Sequence, residues 1–420
     1  MAKQRTYMSF DLKSFYASVE CVERGLDPFK TNLIVADPSR GDKTICLAAT
    51  PAIKALGVKS RCRVYEIPKG IEYITAPPRM KLYIDYSVKI YGIYLKYAAK
   101  EDIHIYSIDE IFMDATDYMG ARGLSPREFA GAIMRDIYES TGITATCGIG
   151  PNLYLAKIAL DIISKHSPEF IGELTEESYR EKLWDHLPLR DFWRISTGTV
   201  NRLAAMGIRT MREITQAEES LLYKAFGVDA QLLIDHAWGR ESTTIADIKA
   251  YTPQSSSIST GQVLHEGYGV KGARLLILEM AELLSLDLVH NGMAAGGVSI
   301  SLGYSFSADV PPAHGSFMLP SPTNSTRRLL EYTGILYDRL AVHERDVFRL
   351  TVGFDRLVPE QSLQYDIFSD SHEQDKERRL QKAVISIKEK YGKNGIFKGM
   401  NLLDGAKTIE RNAQIGGHKA

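Results

Sequence analysis

Three carboxylates sit where a chain can least tolerate them. Asp11 closes the apolar run Tyr7-Met8-Ser9-Phe10, and the pair Asp109-Glu110 interrupts the hydrophobic stretch from Ile103 to Met113. Acids carried into a β-rich core are costly unless a positive charge neutralises them, and a hard divalent cation with oxygen ligands is the usual answer. Acidic pairs also occur at exposed turns, but Ile105 and Ile108 before this one and Ile111 to Met113 after it argue against exposure. Any fold available to this chain must therefore bring two distant strand ends together around a metal–phosphate reaction centre.

At 420 residues the chain is too long for one core and is expected to form several domains. Its 51 basic and 52 acidic residues nearly cancel, which argues against a nucleic-acid partner unless charge is locally segregated. Cys21, Cys46, Cys62 and Cys147 lie far apart without zinc or disulfide spacing, and read as reduced cysteines of a cytoplasmic protein. The first residues do not form a signal peptide, and no apolar run approaches the ~18 residues of a membrane helix. No membrane partner is expected.

Hydrophobic periodicity predicts a strand over 6–12, a helix over Ser14 to Cys21, a strand over Asn32 to Ala36 and a short helix near Ala52 to Leu56. Tyr86, Ile90, Ile93, Tyr94 and Tyr97 predict an amphipathic helix over Tyr86 to Ala99, ahead of the acidic strand and a second strand over Ile111 to Ala115. A helix over Phe129 to Tyr138, a strand over Ile143 to Ile149 and a helix over Leu153 to Ile163 complete a β-α-β alternation on one sheet. From Ser167 to Gly239 the strand signal fades and short helices take over, at Asn201 to Met206, Met211 to Thr215 and Ser220 to Phe226. The polar stretch from Ala250 to Ser257 reads as a linker.

Beyond it come a strand to Leu264, a helix over Ala273 to Val289, a strand over Gly297 to Phe306, a Pro/Gly/Ser-rich loop, a helix over Thr326 to Leu340 and a strand over Val347 to Phe354. Val298, Ile300, Leu302 and Tyr304 alternate with Ser299, Ser301, Gly303 and Ser305. Leu350, Val352 and Phe354 likewise alternate with Arg349, Thr351 and Gly353. One sheet face is thus small, polar and flat, suited either to a phosphate backbone or simply to water. The remaining tail holds a charged run over Ser371 to Lys382 and a Gly/Lys/Asn-rich end.

The run Asp11-Leu12-Lys13-Ser14-Phe15-Tyr16-Ala17-Ser18-Val19-Glu20, together with Ser107-Ile108-Asp109-Glu110, resembles the Y-family of translesion DNA polymerases. The resemblance runs through most of residues 6 to 355. Segment order and the ending Gln414 to Ala420 look most similar to Gram-positive, ultraviolet-repair relatives of the DNA polymerase V catalytic subunit. It implies an α/β multidomain, right-hand polymerase: an α/β palm over 1–24 and 74–166, small fingers over 25–73, a helical thumb over 167–245, a linker over 246–254, an α/β little finger over 255–356 and a tail over 357–420. It also implies template-directed, low-fidelity DNA synthesis past damaged bases.

Carried over by motif, Asp11, Asp109 and Glu110 match the family's catalytic, metal-binding carboxylates, with the Leu12 carbonyl as a main-chain ligand. Two magnesium ions, or manganese in their place, would align a primer 3′-hydroxyl with the α-phosphate of a deoxynucleoside triphosphate. Tyr16 falls at the steric-gate position that excludes a 2′-hydroxyl, its alternative being a core aromatic. Phe15 beside it is expected against the nucleotide or the palm. Lys165 matches a triphosphate-contacting lysine, its alternative being a solvated one. Where many members place a tyrosine and an arginine in the fingers, this chain has Pro51 and Lys54, and Lys54 supplies charge without the arginine fork.

Primer–template DNA is the implied partner of the thumb, where relatives carry a Gly-x-Gly hairpin. Only Gly198 remains of it here, with Arg194, Thr197 and Thr199 able to compensate, and Arg349 and Thr351 lie on the flat little-finger face. Gln364-Tyr365-Asp366-Ile367-Phe368 resembles a peptide that binds the DNA sliding clamp through Gln364, Ile367 and Phe368, the alternative being docking on its own domain. The resemblance leaves room for an accessory subunit or a recombinase filament. Two rivals stand beside it. A palm-type nucleotide cyclase has no use for the C-terminal segments, and a catalytically silent DNA-binding or regulatory homologue has no use for the three acids.

Overall fold

A computed structural model of the protein describes residues 5–252, 257–304, 311–342, 345–362 and 371–419. The chain divides into two units, Met1–Thr252 and Pro253–Ala420.

In the first unit, β1 (Tyr7–Leu12) is buried along nearly its whole length, as its apolar run demands. A left-handed turn at Ser14, φ +52°, leads into α1 (Phe15–Val22). Next come β2 (Leu33–Val35), β3 (Ala48–Ala49), α2 (Pro51–Ala55) and β4 (Ile74–Ala76), and the three strands form a small sheet of order β3-β2-β4. Its separate core includes Ile34, Ile53, Val58 and Ile67. The chain continues through α3 (Met80–Tyr94), the hairpin of β5 (Ile103–Ile105) and β6 (Glu110–Asp114), and α4 (Pro126–Thr141). A Ser125/Glu128 capping box opens α4 and Gly142, at φ +71°, closes it.

After β7 (Ala145–Gly150), α5 (Leu153–Ile158) passes into a π-helical turn over Ala159–Ile163, and β8 (Ile171–Glu173) follows. The main sheet has the order β5-β6-β1-β7-β8, so the central strand carries Asp11 directly opposite Glu110 on β6. Two glycines let the helix settle on this sheet. A Cβ at Gly148 would lie 2.1 Å from the Ala156 carbonyl oxygen, and one at Gly172 would lie 2.2 Å from that of Ala159.

Six short helices follow: α6 (Glu176–Leu183), α7 (Thr197–Ala205), α8 (Met211–Gln216), α9 (Glu219–Phe226), α10 (Asp229–Ala237) and α11 (Ile245–Ala250). Thr175, Ser196, Thr210 and Thr244 accept a backbone N–H at four of their starts, which defines helices too short to persist alone. Tyr179, Phe192, Leu203, Met211 and Leu222 fill their shared core.

The second unit contains β9 (Ser257–Tyr268), α12 (Val270–His290), β10 (Met293–Tyr304), β11 (Ala313–Thr323), α13 (Thr326–Leu340), β12 (Val347–Asp355), β13 (Val358–Pro359) and α14 (Ser371–Tyr391). It ends in α15 (Thr408–Asn412) and the hairpin β14 (Gln414–Ile415) with β15 (His418–Lys419). An antiparallel sheet of order β11-β10-β12-β9 turns Val298, Ile300, Leu302, Leu350, Val352 and Phe354 onto the helices.

Several expectations need correcting. The loop expected before α13 contains β11, an edge strand paired only with β10, a position that tolerates its prolines. The strand signal does not end at Ser167, because β8 pairs parallel to β7 and extends the main sheet. The helix expected from Tyr86 starts at Met80 and ends at Tyr94, with Met80 and Tyr83 buried ahead of the pattern that was legible. A linker beginning at 246 would start inside α11, whose Ile245 packs with Tyr7, Phe112 and Leu153.

The C-terminal segment is not a loose tail. Glu279 of α12, fully buried, accepts from the backbone N–H of Lys407 at 2.9 Å and Thr408 at 3.3 Å and from Asn401 Nδ2 at 3.2 Å. Glu377 of α14 accepts from Ser325 Oγ at 2.7 Å and the Arg327 N–H at 3.0 Å, completing the start of α13. Gln364, Ile367 and Phe368 lie outside the described residues, as does Ser305.

Candidate active site

Strand pairing assembles the acids. Asp11 and Glu110 are register partners on β1 and β6, and the Leu12 N–H donates to the Asp109 carbonyl at 3.0 Å. Asp109 stands at the end of the β5–β6 turn, so the pair is less enclosed than the flanking isoleucines suggested. Ile105 is in fact exposed and so is Tyr106. The Asp109 carboxylate accepts from Ser107 Oγ at 2.7 Å, and the Glu110 carboxylate from Lys157 Nζ at 2.9 Å.

Lys157 was not singled out by sequence reasoning. Its side chain is only 5% exposed and also donates to Asp161 at 3.0 Å, one helical turn on. Burial alone would depress its pKa, yet Asp161 and Glu110 outweigh that and hold it raised. The signal was a lone cation in the apolar helix Leu153 to Ile163, four residues before an acid. Burial, then the neighbouring Asp109 and Glu110 charges, push the Asp11 carboxyl up to about 8. Glu110 is raised too, burial again leading and Lys157 opposing it.

Among the described residues, no three His, Cys, Asp or Glu side chains are grouped as a ready metal cage, since Asp109 turns to Ser107 and Glu110 to Lys157. The donor chemistry nonetheless fits a hard divalent cation. Asp11 and Glu110 are register partners with Asp109 next in sequence, and after burial it is their mutual repulsion that raises Asp11, which such an ion relieves.

Further cations act on Asp11. Lys54, on α2, donates to Ser14 Oγ at 2.8 Å in the left-handed turn, which ties the small sheet's helix to the start of α1. Burial lowers the pKa of both Lys13 and Lys54, Asp11 opposes this, and Lys165 acts on both as a like charge. Lys13 also lies over the Phe170 ring, 4.2 Å from its centroid. Expected Lys54 and Lys165 thus share one field with Lys13, which sequence reasoning passed over. Charge is segregated locally although the chain is balanced overall.

Phe15 is buried in the first unit's core, and Tyr16 beside it is half-buried. The Tyr16 ring stacks on Tyr83 with centroids 4.4 Å apart, and its pKa is raised by burial and then by Asp109. Arg194 has φ +68° and lies over Trp193, 4.9 Å from the ring centroid. Gly198 sits in the first turn of α7, where Ser196 accepts from the Thr199 N–H at 3.1 Å. In the second unit Arg349 pairs with Gly303 and Thr351 with Ser301. Thr351, Ser299, Ser301, Ser316 and His314 line a shallow groove of about 340 Å³ on the polar face.

Asp11 and Glu110 on the antiparallel neighbours β1 and β6, with a lysine cluster beside them, have the donor chemistry that two-metal phosphoryl transfer uses. Residues 10–161 match the impB/mucB/samB family, and residues 255–367 match that family's C-terminal domain. A protein of Bacillus subtilis (strain 168) named for UV-damage repair, UvrX, is 29% identical over 99% of this chain and 98% of its own. DNA polymerase IV 2 of the same organism is 31% identical over the full length of both. A solved Y-family DNA polymerase chimera of Dbh and Dpo4 superposes with a TM-score of 0.63 at 21% identity, covering 84% of this chain and 99% of that one. The chain belongs to the impB/mucB/samB family and is a DNA-directed DNA polymerase of the Y-family, with that family's palm, fingers, thumb and little finger. Among the described residues no helix is long and apolar enough to cross a membrane.

Proposed function

We propose that this polymerase copies DNA past damaged bases by nucleotidyl transfer at Asp11, Asp109 and Glu110, with primer–template DNA and deoxynucleoside triphosphates as substrates. The observation that carries the reading is the register of β1 and β6, which sets Asp11 opposite Glu110 and bonds Leu12 to Asp109. Family members use divalent metals, and the three carboxylates with the Leu12 carbonyl would hold two magnesium ions here. Those ions would activate the primer hydroxyl and stabilise the leaving phosphate oxygen.

The chain's own residues do the rest. Lys13, Lys54 and Lys165 draw the triphosphate toward Asp11, and Lys157 holds Glu110 in place by a charge-assisted hydrogen bond. Tyr16 lies under the sugar as the steric gate. Arg194 and Gly198 in the thumb and Arg349 and Thr351 in the little finger contact the DNA backbone, whose phosphates meet hydroxyls and main-chain amides at close range. The domain boundaries follow the elements, with β8 joined to the palm and α11 closing the thumb. Gln364, Ile367 and Phe368 anchor the sliding clamp.

A product analysis separates this from the cyclase alternative. Given primer–template, deoxynucleotides and magnesium, the protein lengthens the primer by template-complementary residues. Cyclic nucleotide from triphosphate alone, with no primer extension, would overturn the reading.

A further inference from the structure

One buried carboxylate near the site has no part in the chemistry above. Glu20 is fully buried on α1, four residues after Tyr16 and therefore on the same helical face. Arg79, capping the start of α3, grips it with a fork: Nε to Oε1 at 2.9 Å and Nη2 to Oε2 at 2.7 Å. Arg24 donates to the Glu20 carbonyl at 2.7 Å and to its carboxylate. Tyr83, also fully buried, donates its hydroxyl to Glu20 Oε1 at 2.8 Å. The face of that same ring lies nearly parallel to Tyr16, 15° between planes and 4.4 Å between centroids.

Each contact constrains the next. Two arginines fix the carboxylate, the carboxylate fixes the para end of Tyr83, and Tyr83 is the floor on which the Tyr16 ring rests. A lone pair of aromatic rings slides easily, because offset stacking is tolerant of displacement. A ring tethered at its far end to a forked ion pair is not free to slide or tip. Excluding one hydroxyl from a sugar needs a surface placed to a fraction of an ångström, which a half-buried tyrosine does not provide unaided.

We infer that Tyr83, Glu20 and Arg79 are positioning residues that hold the Tyr16 ring in the plane from which it discriminates deoxyribose from ribose. This rests on the reading of Tyr16 as the steric gate. Destabilising the polymerase as a whole slows both sugars alike. Loosening the floor admits the larger sugar selectively.

The test compares kcat/KM for a deoxynucleotide and the matching ribonucleotide in the full-length protein, with Tyr16→Ala as the reference for an absent gate. Tyr83→Phe keeps the stacked ring and deletes its tether, and Glu20→Gln weakens the fork. Each is expected to lower the deoxy-to-ribo ratio about fivefold, the scale of one lost hydrogen bond. Tyr83→Leu, which removes the floor, should approach Tyr16→Ala. Should Tyr83→Leu fail to fold, the two near-isosteric variants still decide. If Tyr16→Ala collapses the ratio while Tyr83→Phe and Glu20→Gln hold it within about twofold, the positioning role is overturned and the network merely brackets α1 to α3. If Tyr16→Ala itself leaves the ratio unchanged, the gate reading is what has failed, and the inference falls with it.

Discussion

Asp11 and Glu110 face each other across β1 and β6 with Asp109 one residue away, so three negative charges compete for one small volume. The Asp11 carboxyl, ordinarily near 4, is pushed up to about 8 by burial and then by its two acidic neighbours. A carboxyl raised in the folded state adds stability at low pH that is lost as pH rises through about 8. Magnesium must displace that proton, so its apparent affinity should weaken about tenfold for each pH unit on the acid side of the transition. Thermal denaturation with EDTA or magnesium across a pH series reads this directly. The magnesium-induced rise in Tm grows with pH, and a shift independent of pH would contradict the assignment of Asp11. At this scale the acids and Tyr16 were legible because each stands in one of two contiguous motifs, Asp11 to Glu20 and Ser107 to Glu110. Lys157, Lys13 and Tyr83 were not, since each belongs to the site only through tertiary contact with a distant strand or helix.

Elements were legible where their pattern was local. Helix α13 matches its expected range because an apolar stripe and a Ser325 cap mark it in the sequence itself. Strands β8 and β11 were missed because each is an edge strand whose residues carry turn-like composition, and only a neighbour makes them strands. The π-helical turn after α5 likewise follows from seating on Gly148 and Gly172, not from anything periodic. That seating bears on the site, because α5 delivers Lys157 to Glu110. Gly148→Ala puts a methyl 2.1 Å from the Ala156 carbonyl oxygen and 2.2 Å from the Leu160 nitrogen, both backbone atoms. The expected cost is about 3 kcal/mol, seen as a lower urea midpoint with unchanged slope, together with slower nucleotide insertion. A variant as stable and as active as the parent would mean that the helix is not seated as described.

Across the whole molecule, two units carry separate duties. The first holds the three acids, Tyr16 and the lysines around Asp11. The second offers a flat polar sheet backed by helices and by a C-terminal segment that the sequence had left as a charged tail. Its integration depends on Glu279, an acid inside an apolar helix whose partners are encoded far downstream, at Asn401, Lys407 and Thr408. A buried acid without visible partners was the available clue. In the sequence, the Gln364-to-Phe368 peptide falls between β13 and α14, outside the described residues. Ile367→Ala with Phe368→Ala is expected to abolish capture of the sliding clamp in a pull-down while leaving primer extension without clamp intact. Undiminished capture would assign the peptide to its own domain instead.

Asp11, Asp109 and Glu110 are proposed to run template-directed nucleotidyl transfer. Single-turnover insertion on four primer–templates differing only in the templating base, one deoxynucleotide at a time with magnesium, tests it most directly. The parent protein should insert the nucleotide that the template dictates on each. Asp109→Ala, folded to the same Tm in EDTA, should insert none. Insertion that survives Asp109→Ala, or that ignores the template, would contradict the account.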